Sequence, residues 1–430
     1  MKRLLIISPY FPPTNAADMQ RIRMSLPYFK QFGYEATVVT INPLYSDLPQ
    51  DELLSQTVPA DVHVYYVKAF NKKLTSKLGL GSIALRSLYH YRKKVNSLLQ
   101  QKKYALIYFS TTQFPVCILG PYWKKKFHIP YVIDMQDPWH SDYYLNKPKA
   151  QRPPKYWLSY RLNKYLEPLA IKNADGLISV SPAYIEQLKE RYPQIKNIPA
   201  ATITFGAFEP DLKIAAENKF TDLLTPGFKN LVCIGRGGMD MHAAITPLFQ
   251  AIKAGLISHP ELFKKLKVYF IGTSYAAAGK EVNTISPLAA QFGLGDQVIE
   301  ITSRISYYHT IATLNKADAL FIPGSDDPKY TASKIYPYLL TQKPMLAVIN
   351  SHSPANGVLG EYGAPYVYNY NHNDDITNQV AAFLTTMLNG KIPATVYNNN
   401  ALNKYSAQNL TSEQCMLFNQ VISGKIQTDI

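Results

Sequence analysis

Cysteine is scarce: the chain of 430 residues has three, Cys117, Cys233 and Cys415, far apart. They build neither a disulfide framework nor a metal-ligand spacing, which suits a reducing, cytoplasmic compartment. No run of about 18 apolar residues occurs, so nothing reads as a membrane span. The opening MKRLLIISPYFPP carries the charges of a signal peptide. Its apolar run, Leu4 to Ile7, is too short for one and ends at Pro9, so a buried first strand is the better reading. Low-complexity tracts and short repeats are missing too. Acidic residues are in deficit, 30 against 45 basic ones. The deficit is local: residues 1–200 hold 28 Lys+Arg and 13 Asp+Glu, whereas residues 201–430 hold 17 of each. Such asymmetry predicts that the first half meets an anionic partner or surface; a merely soluble basic surface explains it equally well. No nucleic-acid partner is indicated.

What is present is ordinary globular material, 47% hydrophobic and 17% charged, in a length that favours two domains. Apolar, β-rich runs at 4–8, 36–41, 63–67, 105–109, 131–135 and 176–180 alternate with amphipathic stretches such as 18–32, 85–100 and 156–172. After a connection over 206–229 the pattern restarts. Strands are expected at 230–235, 267–272, 298–302, 319–323 and 345–349, with helices near 243–255, 283–292, 306–316 and 334–341. A last helix is expected over 409–424, capped by Thr411 or Ser412 and stopped by Gly424. Continuous apolar strands alternating with helices predict parallel α/β sheets covered on both faces. The fold class is therefore α/β, two doubly wound domains with a cleft between them. Ligands of such sheets sit at the carboxyl ends of strands, so the loops there carry the chemistry.

Four loops of the second half stand out. IGRGGMDMH (234–242) has Gly235, Gly237 and Gly238, which permit close backbone approach, and Arg236, a fork suited to phosphate. It is not the dinucleotide G-x-G-x-x-G, since Met241 stands three residues after Gly238. A structural turn with an exposed arginine is the plain alternative. IGTSYAAAGK (271–280) places Gly272 and Thr273 at the next strand end, a weak signal alone. TSRISYYHT (302–310) offers Arg304, with Ser306 as a cap for the next helix. IPGSDDPKYTASKIYPYLL (322–340) contains Ser325, Ser333 and Lys334. Pro337 lacks an N–H and is tolerated in a first helical turn, which places the helix start near Ser333 or Lys334. A lysine there is locally unfavourable by about 0.3–1 kcal/mol, so an anionic neighbour is expected. That neighbour is either a bound diphosphate or Asp326 and Asp327.

In these motifs the chain resembles the GT-B glycosyltransferases. The resemblance is carried by the GR after a strand, ADALFIPGS, ASKIYPYLLTQKPMLAV, ISPYFPP…R…FGYEATVVT and ADGLISVSPAYIEQL, and covers nearly the whole chain. The closest likeness is to the retaining, nucleotide-sugar-dependent branch that builds bacterial surface polysaccharides. It implies two Rossmann-like domains, an acceptor domain over 1–205 and a nucleotide-sugar domain over 206–395. Residues 396–430 would cross back to the first. It implies that Gly235, Arg236, Gly237, Gly238, Gly272, Thr273, Arg304, Ser325, Ser333 and Lys334 surround the donor. Arg236 and Lys334 would face its phosphates, and Arg304 would lie by the base. Asn15 and Arg21 would serve the acceptor. The nucleotide sugar is a co-substrate; no cofactor and no metal are implied, although Asp326 and Asp327 are adjacent. The pattern departs from the family at three places. Pro337 and Lys329 stand where two glutamates are usual, His242 lies near the place of a lysine, and TNAAD (14–18) replaces a GG.

IDMQDPWH (133–140) follows a strand of the first half. Asp137 resembles the aspartate of related D-x-W segments and is a candidate base, with His140 as a substitute; a loop-capping aspartate is the plain alternative. Residues 71–99 and WKKKFH (123–128) are basic and amphipathic, a pattern suited either to anionic lipid or to an ordinary surface helix. The expected function is transfer of a sugar from a nucleotide sugar to a saccharide or lipid-linked acceptor, in the cytoplasm or as a peripheral activity at the inner membrane face. An inactive relative that binds nucleotide sugar or glycan as a partner protein is the alternative, motivated by Pro337. An epimerase is disfavoured by the lack of a paired acid and base.

Overall fold

Alternate residues of a strand face opposite sides, and here both sides are apolar. Leu4 and Ile6 enter one core layer and Leu5 and Ile7 the other, and all four are fully buried. The computed structural model describes residues 1–430 except 79, 143, 146–147, 150–151, 153–154, 275, 277–278, 329–333, 372–375, 393–397 and 427–430. The chain forms two compact units, Met1–Gly206 with Ala407–Ile430, and Ala207–Ser406.

The first unit holds β1 (Lys2–Ile7), β2 (Tyr34–Ile41), β3 (His63–Val67), β4 (Leu106–Ser110), β5 (Tyr131–Met135), β6 (Gly176–Ser179) and β7 (Ala200–Thr202). All pairings are parallel, in the order β3-β2-β1-β4-β5-β6-β7. The second unit holds β8 (Lys229–Ile234), β9 (Leu266–Ile271), β10 (Val298–Ile301), β11 (Ala319–Pro323), β12 (Met345–Ile349) and β13 (Tyr366–Asn369). These are also parallel, in the order β10-β9-β8-β11-β12-β13. Each sheet reverses its direction of growth once, between β1 and β4 and between β8 and β11. Beyond the carboxyl ends of those pairs lie the crevices where ligands of such sheets bind.

Eleven of these strands stand where the apolar runs predict them. The other two, β7 and β13, are only three and four residues long and partly exposed, so their apolar signal is weak. The expected connection over 206–229 contains a helix, Pro210–Glu217. Its Asp211 is fully buried and accepts the hydroxyls of Tyr307 at 2.8 Å and Tyr308 at 3.1 Å. Ser306 caps Tyr307–Lys316 as expected, accepting from the His309 N–H. The last helix runs Ala407–Ile426, so neither Thr411 nor Ser412 starts it and Gly424 does not stop it. Thr411 is fully buried and donates to the Ala407 carbonyl at 2.6 Å, inside the helix. The return to the first unit begins at Ala407 rather than 396; the helix Asn399–Lys404 stays with the second. The helix Ile83–Gln101 turns Val95, Leu98 and Leu99 into the core, so its apolar face covers the sheet.

Candidate functional site

In the second unit the bends after β8, β9 and β11 are bound to one another at the β8–β11 crevice. Gly235 donates to the Ile271 carbonyl at 2.8 Å and Gly237 to the Thr273 carbonyl at 3.0 Å. A side chain at Gly237 would come within 2.9 Å of Thr273 Cβ and Cγ2, so this close approach requires glycine. Gly235 (φ 129°) and Gly272 (φ 73°) hold backbone that other residues rarely adopt. Arg304 is exposed and lies beside Gly272, its Cα 3.7 Å from where a Cβ would stand. The Lys334 stem runs over Gly235, its Cδ 3.6 Å from the position of a Cβ there. Gly235–Gly238, Gly272, Thr273, Arg304, Ser325 and Lys334 are thus brought to one edge. Ser333, like Lys329, lies outside the described residues.

Pro337 sits in the first turn of the helix Ile335–Leu340, as its missing N–H demands, and Lys334 is the residue before it. Among the described residues Lys334 pairs with neither Asp326 nor Asp327; its Nζ rests 3.8 Å from Cys233 Sγ. Tyr338 of this helix receives the Ile234 N–H at 2.6 Å and donates to the Ile234 carbonyl at 3.0 Å, which fixes the helix to the end of β8.

Two side chains expected to face a ligand are turned to carboxylates instead. Thr273 is buried and donates to Glu300 at 2.7 Å. Glu300 also accepts the N–H groups of Thr284, Ile285 and Ser286, the free donors at the start of the helix Ser286–Gln291. Burial alone would raise the Glu300 carboxyl, yet these donors hold it below its ordinary range. Ser325, also buried, donates to Asp240 at 2.7 Å. Asp240 is gripped in addition by both prongs of Arg236, at 2.9 and 2.7 Å. Burial opposes ionisation of Asp240, but the Arg236 and Ser325 hydrogen bonds prevail and lower its pKa. Asp240 was not singled out in the sequence; its signal there is an acidic residue four positions after Arg236, and the bend through extended Gly238 rather than a helix brings the two together.

In the first unit, Asp137 lines a cavity of about 530 Å³ at the ends of β4 and β5, shared with Thr112, Gln113, Phe114 and Trp139. Asp137 presents surface to solvent yet is closely surrounded. Desolvation, helped by the Asp18 carboxylate, pushes its carboxyl up to about 6. Asp18 itself is buried, and burial raises it; Thr111 Oγ1 and the Thr112 N–H each donate to it at 2.9 Å.

His140 does not share that cavity. It is buried behind Trp139 with Glu167 and Arg191, and burial, then the Arg191 charge, lowers its pKa. Its backbone N–H is held by Glu167 at 2.9 Å, and Glu167 also accepts from Arg191 and Tyr192. This cluster anchors the loop that carries Asp137. Arg21 lies in the core: it contacts Asp134 at 2.5 Å and donates to the carbonyls of Ile203 at 2.7 Å and Thr204 at 2.9 Å. Its guanidinium ties the first helix to the strand ends and presents little to solvent. Asn15 is half-buried, with its N–H on the Pro49 carbonyl.

Among the described residues no group of three or more His, Cys, Asp or Glu is placed to hold a metal ion, and no helix is long and apolar enough to cross a membrane. No family model and no curated protein matches the chain. Solved structures do. Sucrose-phosphate synthase from Thermosynechococcus elongatus is 12% identical with a TM-score of 0.61, covering 99% of this chain and 100% of its own. The UDP-forming trehalose-phosphate synthase from Burkholderia xenovorans is 11% identical at 0.58, covering 98% and 99%. The E. coli trehalose-6-phosphate protein bound with UDP-2-fluoro glucose is 12% identical at 0.56, covering 98% and 99%. Likeness over nearly whole chains at so low an identity speaks for shape alone, and the shape is the GT-B fold with its two Rossmann-like units.

Proposed function

We propose that this chain is a nucleotide-sugar-dependent glycosyltransferase that moves a sugar to a saccharide or lipid-linked acceptor. The observation that carries the reading is the set of bound glycine bends at the β8–β11 crevice, with Arg236 and Lys334 beside Gly235. Close backbone approach at glycines and two cations beside it suit a nucleoside diphosphate. The names of the similar structures support it, since one is UDP-forming and one holds UDP-2-fluoro glucose. In transfer, the bond from the anomeric carbon to the phosphate oxygen breaks and a bond to the acceptor oxygen forms. The acceptor proton passes to Asp137 or to the departing phosphate. Arg236 and Lys334 stabilise the negative charge that develops on the leaving group.

The alternative, a binding protein without turnover, is favoured by one contact: Asp240 already holds both prongs of Arg236. Calorimetry with UDP and other nucleoside diphosphates, followed by an assay of nucleotide release with candidate acceptors, separates the two. Arg236→Ala and Lys334→Ala are each expected to weaken binding about tenfold, by ~1.4 kcal/mol. Unchanged affinity in both removes the donor-site assignment, and binding without release selects the alternative.

A role in surface polysaccharide synthesis and contact with anionic lipid belong to the same proposal. The apolar face of Ile83–Gln101 is turned to the core, so lipid contact rests on the basic excess of residues 1–200 and on exposed Leu74 and Tyr89. Vesicles rich in anionic lipid should retain the protein at low salt and release it at high salt.

A further inference from the structure

The cavity beside Asp137 has more apolar wall than a sugar hydroxyl needs. Its volume, about 530 Å³, lies within the range of small-molecule sites. Leu85, Phe114, Trp139, Leu158 and Leu162 form the wall. Phe114 and Trp139 are stacked, with ring centres 5.5 Å apart and planes 21° from parallel. The indole N–H of Trp139 is already donated to Asn163 at 3.2 Å, so a ligand meets only its ring.

Several polar groups of the lining are occupied within the protein. Ser76 donates to the Lys72 carbonyl at 2.6 Å, Ser159 to the Tyr156 carbonyl at 3.0 Å, and Thr112 to Asp18 at 3.2 Å. Asp137 differs: among the described residues its carboxylate has no hydrogen-bond partner. Among the described lining residues it is the one carboxylate, and it marks a polar end beside the apolar wall. The lining holds one cation among the described residues, Lys155, against the Asp137 carboxylate and the field that buried Asp18 exerts on it. A phosphate group is poorly served there.

We infer that the acceptor is amphiphilic: its hydroxyl end meets Asp137 and an alkyl or aryl group fills the wall of Leu85, Phe114, Trp139, Leu158 and Leu162. The word acceptor rests on the transferase reading; the apolar site itself does not. A sugar phosphate is the competing occupant.

The test uses the full chain without nucleotide. Methyl, butyl and hexyl β-glucosides, below their micellar concentrations, are titrated while tryptophan fluorescence is followed. The variant Trp157→Phe removes the exposed tryptophan, leaving Trp139 at the cavity and Trp123 in the core. Each methylene is expected to tighten binding about fourfold, and glucose 6-phosphate is not expected to compete. Leu158→Gln, at a half-buried position, should weaken the hexyl glucoside about tenfold while leaving UDP affinity and melting temperature unchanged. Equal affinity from methyl to hexyl, or glucose 6-phosphate binding more tightly than hexyl glucoside, overturns the inference. Chain-length dependence in a protein that neither binds nucleoside diphosphates nor transfers sugar would sink the transferase reading and leave the apolar site standing.

Discussion

Carboxylates near the strand ends sit in different surroundings, and the residue scale is where their ionisation matters. Asp137 is raised to about 6 by desolvation and by Asp18. As a base it must be ionised, so transfer should rise as pH passes through about 6 and level off above it. Asp137→Asn should leave UDP binding intact and reduce turnover by about 10²-fold or more; full activity removes Asp137 from the chemistry. The same shift bears on stability. A carboxyl raised in the folded state binds its proton more tightly there. Its stabilising effect is complete below the unfolded value and is lost as pH rises through about 6. Asp137→Asn should therefore stabilise the protein above that pH and be neutral in acid. The gain is on the order of 1 kcal/mol, because the group faces solvent. Asp240 has the opposite sign. Held low chiefly by Arg236 and Ser325 against the effect of burial, it adds stability above its unfolded value that is lost as pH falls through its folded one. Asp240→Asn should cost roughly 1 kcal/mol at neutral pH, since both side chains are partly exposed. It also loosens the grip on Arg236 and removes a negative charge, so UDP should bind several-fold more tightly. Weaker binding would show that Asp240 orients the guanidinium rather than competing for it.

At the element scale, the contact of the last helix with β6 has no room for a side chain at Gly176. A Cβ at Gly176 would lie 2.7 Å from Val421 Cγ2 and 3.1 Å from Val132 Cγ2. Gly176→Ala should destabilise the first unit by about 1–3 kcal/mol. With Val421→Ala in the same chain the combined loss should be smaller than the sum of the two, because the second change removes the methyl that the first meets. Strict additivity in denaturant unfolding would mean that β6 shifts instead. The Glu167 cluster illustrates the same scale: one strand-end loop and two helices are held by one buried carboxylate, and the Asp137 loop takes its position from it.

For the whole molecule, the first unit is completed by the chain's last segment. Leu410, Cys415, Leu417, Phe418 and Val421 fill the layer that also holds Leu4, Ile6, Tyr108 and Val132. Gln414 joins it by donating to Ser25 at 2.9 Å. Removal of 407–430 should expose this layer and abolish cooperative folding of the first unit, while residues 207–406 remain resistant to limited proteolysis. Equal resistance of both units would show that the helix is only an addition.

Strand positions were legible because fully buried parallel strands are apolar along their whole length, as in Tyr131–Met135 and Met345–Ile349. Pro337 marked its helix start because a missing N–H is a local fact of the chain. The glycine bends and the presence of Arg236 and Lys334 at strand ends were legible for the same reason. The sequence alone also determined the charge asymmetry and the α/β class. Only the tertiary structure decided the partners: that Arg21 goes to Asp134, Thr273 to Glu300 and Ser325 to Asp240, and that Asp137 has an apolar cavity before it. Backbone preference is set by neighbours in the chain, whereas a side chain's partner and its dielectric surroundings are set by residues tens or hundreds of positions away.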